Sequence, residues 1–403
     1  MNGAGGPRIL VAGLGDAGCN VAERLLRDWA PPASVLAAIN TDFSAFKGRA
    51  DMRCVKLGVN LAAGSGAGGN PDAGRQAAEA DRAMLQEVLA EADLLFLVAG
   101  MGGGTGTGAA PVLARIAAEA GAKVLAFAVL PFDFEGAHRC EQAARGVAAL
   151  REAADAVICL PNQRLFDLCG GGAAPARAFE EADGLLASGI YAIWRALSGA
   201  GTLNLRLPDF ERLLEQGGTN GCVLASVQGV GADRAAIALE ALKEHPLLDR
   251  GNVLARAPAF LVSVLSGDDL SLGDLSRLLP TIAEMGRAGA MHMAGLVCDN
   301  HWRDRLLVTV LACDSSVGAA PPAASKKPAG SGAAVHKSGS KPAPPVEVAS
   351  ARMKQQGLFD PMEGAPASGR FKDIEPTIHA GENLDIPTYL RRRIPIQKRS
   401  PRA

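Results

Sequence analysis

Gly100-Met101-Gly102-Gly103-Gly104-Thr105-Gly106-Thr107-Gly108 sets six glycines in nine positions, between an apolar run of strand character (residues 93–99) and an Ala-rich stretch of helical period (109–120). A turn that serves folding alone needs one or two glycines. Six of them, with two hydroxyls interleaved, predict a main chain that wraps closely round an anion, Thr105 and Thr107 adding donors. No GxxxxGK[ST] occurs anywhere, so this is not an ordinary P-loop. A second glycine turn stands upstream, Gly13-Leu14-Gly15-Asp16-Ala17-Gly18-Cys19-Asn20, again after an apolar run and before a helical pattern. In that setting GxGxxG brings backbone N–H groups and a helix dipole against phosphate. Asp42, just past the next apolar run, stands about where a dinucleotide-binding fold holds its ribose-binding acid. On these residues alone, a nucleotide-phosphate site and an NAD(P) oxidoreductase are both open.

Outward from the two turns, short apolar runs at 9–12, 35–41, 94–100, 124–130 and 156–160 alternate with Ala/Glu/Arg-rich helical stretches. That alternation predicts an α/β fold with a parallel sheet covered by helices, ligands binding where loops leave the carboxyl ends of the strands. A long helix is expected over 175–197, with Phe179, Leu185, Leu186, Ile190, Ile193 and Leu197 on roughly one face. Strands at 222–227, 260–265, 295–298 and 306–313, with helices near 234–243 and 272–287, predict a second, smaller α/β domain. From Asp314 to about Arg352 the composition falls to Ala, Pro, Ser, Gly and Lys, which cannot bury enough apolar surface to offset ordering and predicts a disordered linker.

The 403 residues are 48% apolar, 21% charged and 4% aromatic, which excludes a small disulfide scaffold. Eight scattered cysteines with no CxxC spacing read as reduced thiols of a cytoplasmic protein. No secretion signal or spanning apolar run is expected. The net charge of −1 conceals a split: residues from Asp314 onward hold 14 basic and 8 acidic side chains, leaving 27 and 34 in the first 313. An acidic body argues against a dedicated nucleic-acid binder. His138, His245, His292, His301, His336 and His379 show no metal-ligand spacing, so no metal site is expected in the protein itself.

Gly102 to Gly108 matches the tubulin-type signature GGGTGTG. Asn40-Thr41-Asp42, Gly66 to Pro71, Pro131-Phe132-Asp133-Phe134-Glu135-Gly136 and Leu384 to Arg392 resemble successive segments of FtsZ, the bacterial division family of the tubulin superfamily, in the right order. The resemblance covers about residues 8–315 and the last twenty. It implies a tubulin-like GTP-binding domain (1–174), a central helix (175–202), a C-terminal activation domain (203–315), a disordered linker (316–373) and a docking peptide with a basic tail (374–403). It further implies a self-assembling cytoskeletal GTPase of the cytoplasmic division ring, stacked head to tail so that one protomer's loop completes its neighbour's site. The nucleotide contacts implied are Gly15, Asp16, Ala17, Gly18, Cys19 and Asn20, with Ala67, Gly68, Gly69 and Asn70 near the γ-phosphate. Gly102, Gly103, Gly104, Thr105, Gly106, Thr107 and Gly108 complete the phosphate cradle, Glu135 and Arg139 serve the ribose, and Asp183 the guanine edge. The chemistry at Asp183 agrees, since a carboxylate can accept both N1–H and N2–H of guanine. Mg²⁺ is expected to enter with GTP or GDP.

Two departures bear on activity. The loop after the long helix reads Gly201-Thr202-Leu203-Asn204-Leu205-Arg206-Leu207-Pro208-Asp209-Phe210, keeping Asn204 and Asp209 of the family's NxDxxD but carrying Arg206 in place of its first carboxylate. Asp16 stands where the family usually has Gly. Arg206 predicts impaired or altered hydrolysis, with a GTP-binding polymer component of little turnover as the rival expectation, although an arginine there could instead act as an arginine finger; Asp16, a negative charge close to the phosphates, predicts weaker nucleotide affinity. At the far end, Asp385, Ile386, Pro387, Tyr389, Leu390 and Arg391 resemble the peptide by which FtsZ binds membrane tethers and other division proteins. Apolar anchors followed by basic residues suit such docking, with membrane contact only indirect.

Overall fold

The computed structural model describes residues 6–47, 51–62, 64–164, 174–199, 201–217 and 221–314, with the pairs 378–379 and 382–383. The chain divides into two compact units, Met1–Lys327 and Pro328–Ala403. In the second, the described residues form one antiparallel ladder, Ile378–His379 against Glu382–Asn383. The expected docking peptide, from Leu384 on, lies outside the described residues.

The first unit is built on one ten-stranded sheet. Its first half runs β1 (Ile9–Leu14), β2 (Leu36–Asn40), β3 (Arg53–Lys56), β4 (Leu94–Gly100), β5 (Lys123–Leu130) and β6 (Ala156–Pro161). All six are parallel in the order β3-β2-β1-β4-β5-β6. β7 (Cys222–Val230) joins β6 through a single registered pair, Ile158 with Cys222, and leads into an edge of β10 (Arg305–Cys313), β8 (Ala259–Ser266) and β9 (Met291–Cys298). Antiparallel β7–β10 and β10–β8 pairs set this half apart from the parallel one.

Both faces of the parallel half are covered, which is why its strands read as unbroken apolar runs rather than alternating ones. All of β1 and β2 is buried, and Phe96 of β4 meets Phe127 of β5 edge to face with ring centres 5.8 Å apart. The covering helices include α1 (Gly15–Trp29), α2 (Val59–Ala62), α3 (Pro71–Ala80), α4 (Arg82–Leu89), α5 (Gly104–Glu119) and α6 (Ala137–Arg151). The expected long helix is α7 (Pro175–Leu197), with Pro175 in its first turn, where a missing N–H costs nothing. Leu186, Ile190, Ile193 and Leu197 are fully buried along it. At about 1.5–3 kcal/mol per buried aliphatic side chain, this stripe anchors α7 against α1 and against β7, β8, β9 and β10. Beyond it come α8 (Leu207–Gly217), α9 (Arg234–Lys243), α10 (Asn252–Arg256) and α11 (Leu272–Met285).

One sequence expectation needs correction. The helix after the glycine-rich run begins at Gly104, not Ala109, so half of the supposed loop is the first turn of α5. The reason is packing against α3. A Cβ on Gly108 would stand 1.9 Å from the Pro71 carbonyl oxygen, and one on Gly104 would stand 2.7 Å from the Ala67 methyl. Gly106 is equally confined, 2.2 Å from the Gly100 oxygen. Three of the six glycines are therefore spent on close backbone approach, Gly108 to α3, Gly104 to the segment before it and Gly106 to the end of β4, as well as on any ligand. No helix among the described residues is long and apolar enough to cross a membrane.

Candidate nucleotide site

A cavity of about 660 Å³ opens at the carboxyl ends of β1, β4 and β5. It lies at the switch point of the parallel half, where β1 and β4 are neighbours and their crossovers leave in opposite directions. One end of the cavity is almost all main chain. Gly15, with φ of +70°, starts α1 directly from β1, while Gly102, with φ of +92°, turns the chain out of β4 beneath Arg139. Gly66, Gly68 and Gly69 also have positive φ, and no atom would meet a Cβ on Gly68, Gly69 or Gly103 within 4 Å. These last three are open to whatever fills the cavity.

The hydroxyls expected to reach a ligand are largely engaged. Thr107 Oγ1 accepts from Gly102 N–H at 2.8 Å and braces the turn, and Thr105 Oγ1 shares a proton with Thr41 Oγ1 at 2.6 Å. On the opposite wall, Gln142 of α6 donates to the Gly69 carbonyl at 3.2 Å and ties the 66–70 segment to the site. Asp16 faces the same end, its Oδ1 accepting from the Asn40 amide at 2.7 Å.

At the other end, Glu135 accepts from Phe132 N–H at 2.8 Å and pairs with Arg139, one helical turn away, at 2.9 Å. Asp183 lines the wall from α7, and burial, only partly offset by Arg24 and reinforced by Glu180, pushes its carboxyl up to about 7. Asn162, the residue after β6, is buried with its Oδ1 unpartnered. Phe179, four residues before Asp183 on α7, lines the same cavity and is braced edge to face by Phe132 with ring centres 5.0 Å apart. An acid short of donors, an acceptor short of a donor and an exposed ring face together suit a flat heterocycle presenting N–H groups.

Of the residues expected from sequence, the cavity gathers Gly15, Asp16, Ala17, Ala67, Gly68, Gly69, Gly102 to Gly106, Glu135, Arg139 and Asp183. Six others stand outside its wall. Gly18 packs under the Val98 carbonyl, the buried Cys19 thiol donates to the Gly13 and Ile39 carbonyls, and Asn20 lies more than one turn into α1. Asn70 caps α3 by accepting from Asp72 N–H, while Thr107 and Gly108 are buried in the turn and against α3. Sequence reading missed Asn162 and Phe179 as residues of the cavity wall. Asn162 directly follows a strand, and the rule that ligands lie at carboxyl ends of parallel strands could have singled it out.

Asn204, Arg206 and Asp209 are not part of this cavity. Their loop follows Ser198, whose carbonyl lies against Gly6 just before the amino end of β1, and it is stitched to β9 by paired Leu203 and Leu296. The cavity is at the opposite end of β1, a strand of six residues and so about 20 Å long. Asn204 Oδ1 accepts from Gly201 N–H at 2.7 Å, Asp209 sits in the first turn of α8, and Arg206 is exposed. Glu211 and Glu215, the nearest carboxylates further along α8, lie within electrostatic reach of Lys123, whose ammonium is held up mainly by Asp155.

The profile for the Tubulin/FtsZ family GTPase domain matches residues 8–170. The cell division protein FtsZ of Pseudomonas aeruginosa is 36% identical over 304 residues, covering 75% of this chain and 76% of that one. This chain belongs to the tubulin/FtsZ family. The FtsZ of Pseudomonas putida is 33% identical and matches across 96% of both chains. Among solved structures, an FtsZ dimer of M. jannaschii superposes with a TM-score of 0.69 at 28% identity, over 76% of this chain and 88% of that one. Membership removes the dinucleotide reading, which the 3-2-1-4-5-6 order of the parallel strands would by itself have allowed. In this FtsZ-family chain Asp42 lines the cavity, and its carboxylate accepts from Ser44 N–H at 2.8 Å.

Proposed function

We propose that this protein is a GTP-binding, self-assembling division protein that turns GTP over only between stacked copies of itself. The observation that carries the reading is the separation of cavity and loop by the length of β1, which prevents one chain from completing its own site. Guanine would lie against Phe179, its N1–H and N2–H on Asp183 and a remaining donor on Asn162 Oδ1. The ribose would meet Glu135 and Arg139, and the phosphates the backbone N–H groups around Gly15, Gly68, Gly69 and Gly102 to Gly104. The substrate would be Mg²⁺–GTP, its cation held by phosphate oxygens and water.

Head-to-tail stacking has support from surface character. Val59, Leu61 and Phe134 are half or more exposed on the cavity side, and Leu203 is about half exposed on the loop. Bringing those ends together would bury apolar side chains that a monomer leaves in water. In the stacked pair Asp209 would orient the attacking water and Asn204, its Oδ1 fixed by Gly201, would offer amide donors. With Arg206 in the loop, one water-orienting carboxylate is missing, and a rate about 10²-fold below that of a loop with both carboxylates is expected. Segment 385–391, from Asp385 through Ile386, Pro387, Tyr389 and Leu390 to Arg391, would dock on membrane-tethering division proteins, holding the polymer at the cytoplasmic division site.

Complementation tests the reading. A copy that cannot bind nucleotide (Asp183→Ala) and a copy with a disabled loop (Asp209→Ala) should be weak alone and recover turnover when mixed. Additive residual rates, with no recovery, would contradict it.

A further inference from the structure

Two charges that break the family pattern stand on the two surfaces that stacking would join. Asp16 is exposed at the phosphate end of the cavity, its Oδ1 on Asn40 and its Oδ2 without a hydrogen-bond or ion-pair partner among the described residues. Arg206 is exposed on the loop at the opposite end of β1, and its guanidinium makes no ion pair or hydrogen bond to a described residue; only its carbonyl is used, by the N–H groups of Asp209 and Phe210. Each charge is costly where it stands. A carboxylate beside a triphosphate repels it, and an arginine replaces a group that would position water.

We propose that Arg206 of one copy pairs with Asp16 of the next, beside the phosphates, so that holding nucleotide and holding a neighbour become one coupled event. This rests on the head-to-tail reading above. Asp16 follows Gly15, whose Cβ position is 3.2 Å from Gly106 N, so its carboxylate stands at the mouth of the phosphate turns. Arg206 lies between Asn204 and Asp209, on the one loop delivered to that mouth. The guanidinium fork can hold a carboxylate on one edge and keep donors for phosphate oxygens on another. A loop with a carboxylate at position 206 would meet Asp16 as a like charge, so the pair also selects a second copy of this chain over a relative with the carboxylate loop.

The test is a double-mutant cycle on the critical concentration for GTP-dependent pelleting. Arg206→Gln should raise it about tenfold. Adding Asp16→Asn should bring it back to within about threefold of wild type, although Asp16→Asn alone gives no gain. Equal gains in both backgrounds, or no rescue, overturn the pair. Wild-type protein that never pellets with GTP overturns stacking itself. As a second measure, mixed Asp16→Cys and Arg206→Cys copies should form a GTP-dependent disulfide-linked dimer that neither forms alone above the background of exposed Cys298. Pelleting without that dimer also overturns the pair.

Discussion

At the carboxyl end of β1 the chain is packed so tightly that Gly13, Gly18, Gly106 and Gly108 have no room for a methyl group. At its amino end the loop that carries Asn204 and Arg206 exposes both side chains and is held by the Leu203–Leu296 pair, the Asn204 bond to Gly201 and buried Leu205, whose N–H bonds the Ala196 carbonyl. On the proposed reading the two ends would divide the labour of a single reaction. The packed end fixes backbone donors in place before the ligand arrives, which is what electrostatic preorganisation requires. The looser end would supply side chains that act only when a second copy presents them. A site split this way can be idle in the monomer without any inhibitory element.

The largest expected effect breaks the packed end outright. Gly108→Ala would drive a methyl into the Pro71 carbonyl, costing about 3 kcal/mol or more and lowering the melting temperature sharply or abolishing folding. Gly103→Ala is the matched control, because nothing lies within 4 Å of its Cβ. Its melting temperature should stay within about 2 °C of wild type, while GTP affinity falls by about tenfold as the methyl enters the ligand's space. Equal losses of stability in both variants would show that the glycines serve folding alone.

Across the two ends, Asp16→Gly combined with Arg206→Asp restores the family pattern on both surfaces. Turnover per polymerised protomer should rise about 10²-fold, whereas Arg206→Asp alone should assemble poorly because its new carboxylate faces Asp16. A steady-state phosphate-release assay separates these outcomes.

Asp183 offers a gentler probe. Its carboxyl, raised by burial to about 7, is protonated below that pH and then cannot accept both guanine N–H groups. GTP affinity measured by titration should be full above pH 7 and fall by up to tenfold per unit below it. Asp183→Asn should weaken binding and remove the pH dependence. For folding the sign is reversed: the native state holds a proton that the unfolded carboxyl, near pH 4, has released, so this stabilisation is present at low pH and lost as pH rises through 7. His245, buried with its Nδ1 accepting from Leu247 N–H, is pulled down to about 4 by burial alone. Its contribution is present above about pH 6.5 and lost as pH falls toward 4, a trend that chemical denaturation of wild type and His245→Gln compares directly.

Much of this architecture was legible because periodicity and punctuation are local. The span of α7, from Pro175 to Leu197, follows from one apolar face and a terminal proline, and the buried strands of the parallel half announce themselves as unbroken runs. β3 (Arg53–Lys56) was not seen, since four residues with only Val55 buried give too little pattern. The start of α5 was misplaced because glycine propensity argues against a helix, and only the approach of α3 explains why glycine is needed there. Asp183, Glu135 and Arg139 were legible through family resemblance alone; as isolated charges on helices or turns they carry no signal. Asn162 and Phe179 become site residues only when β6 and α7 are brought to one cavity.

On the proposed reading no single chain contains a complete site. GTP turnover per molecule, measured across a concentration series with Mg²⁺ and with pelleting of the same samples, tests it most directly. The account predicts near-zero turnover below a critical concentration and a rise that tracks pelleted polymer above it. Turnover per molecule that stays constant down to concentrations with no polymer would contradict it.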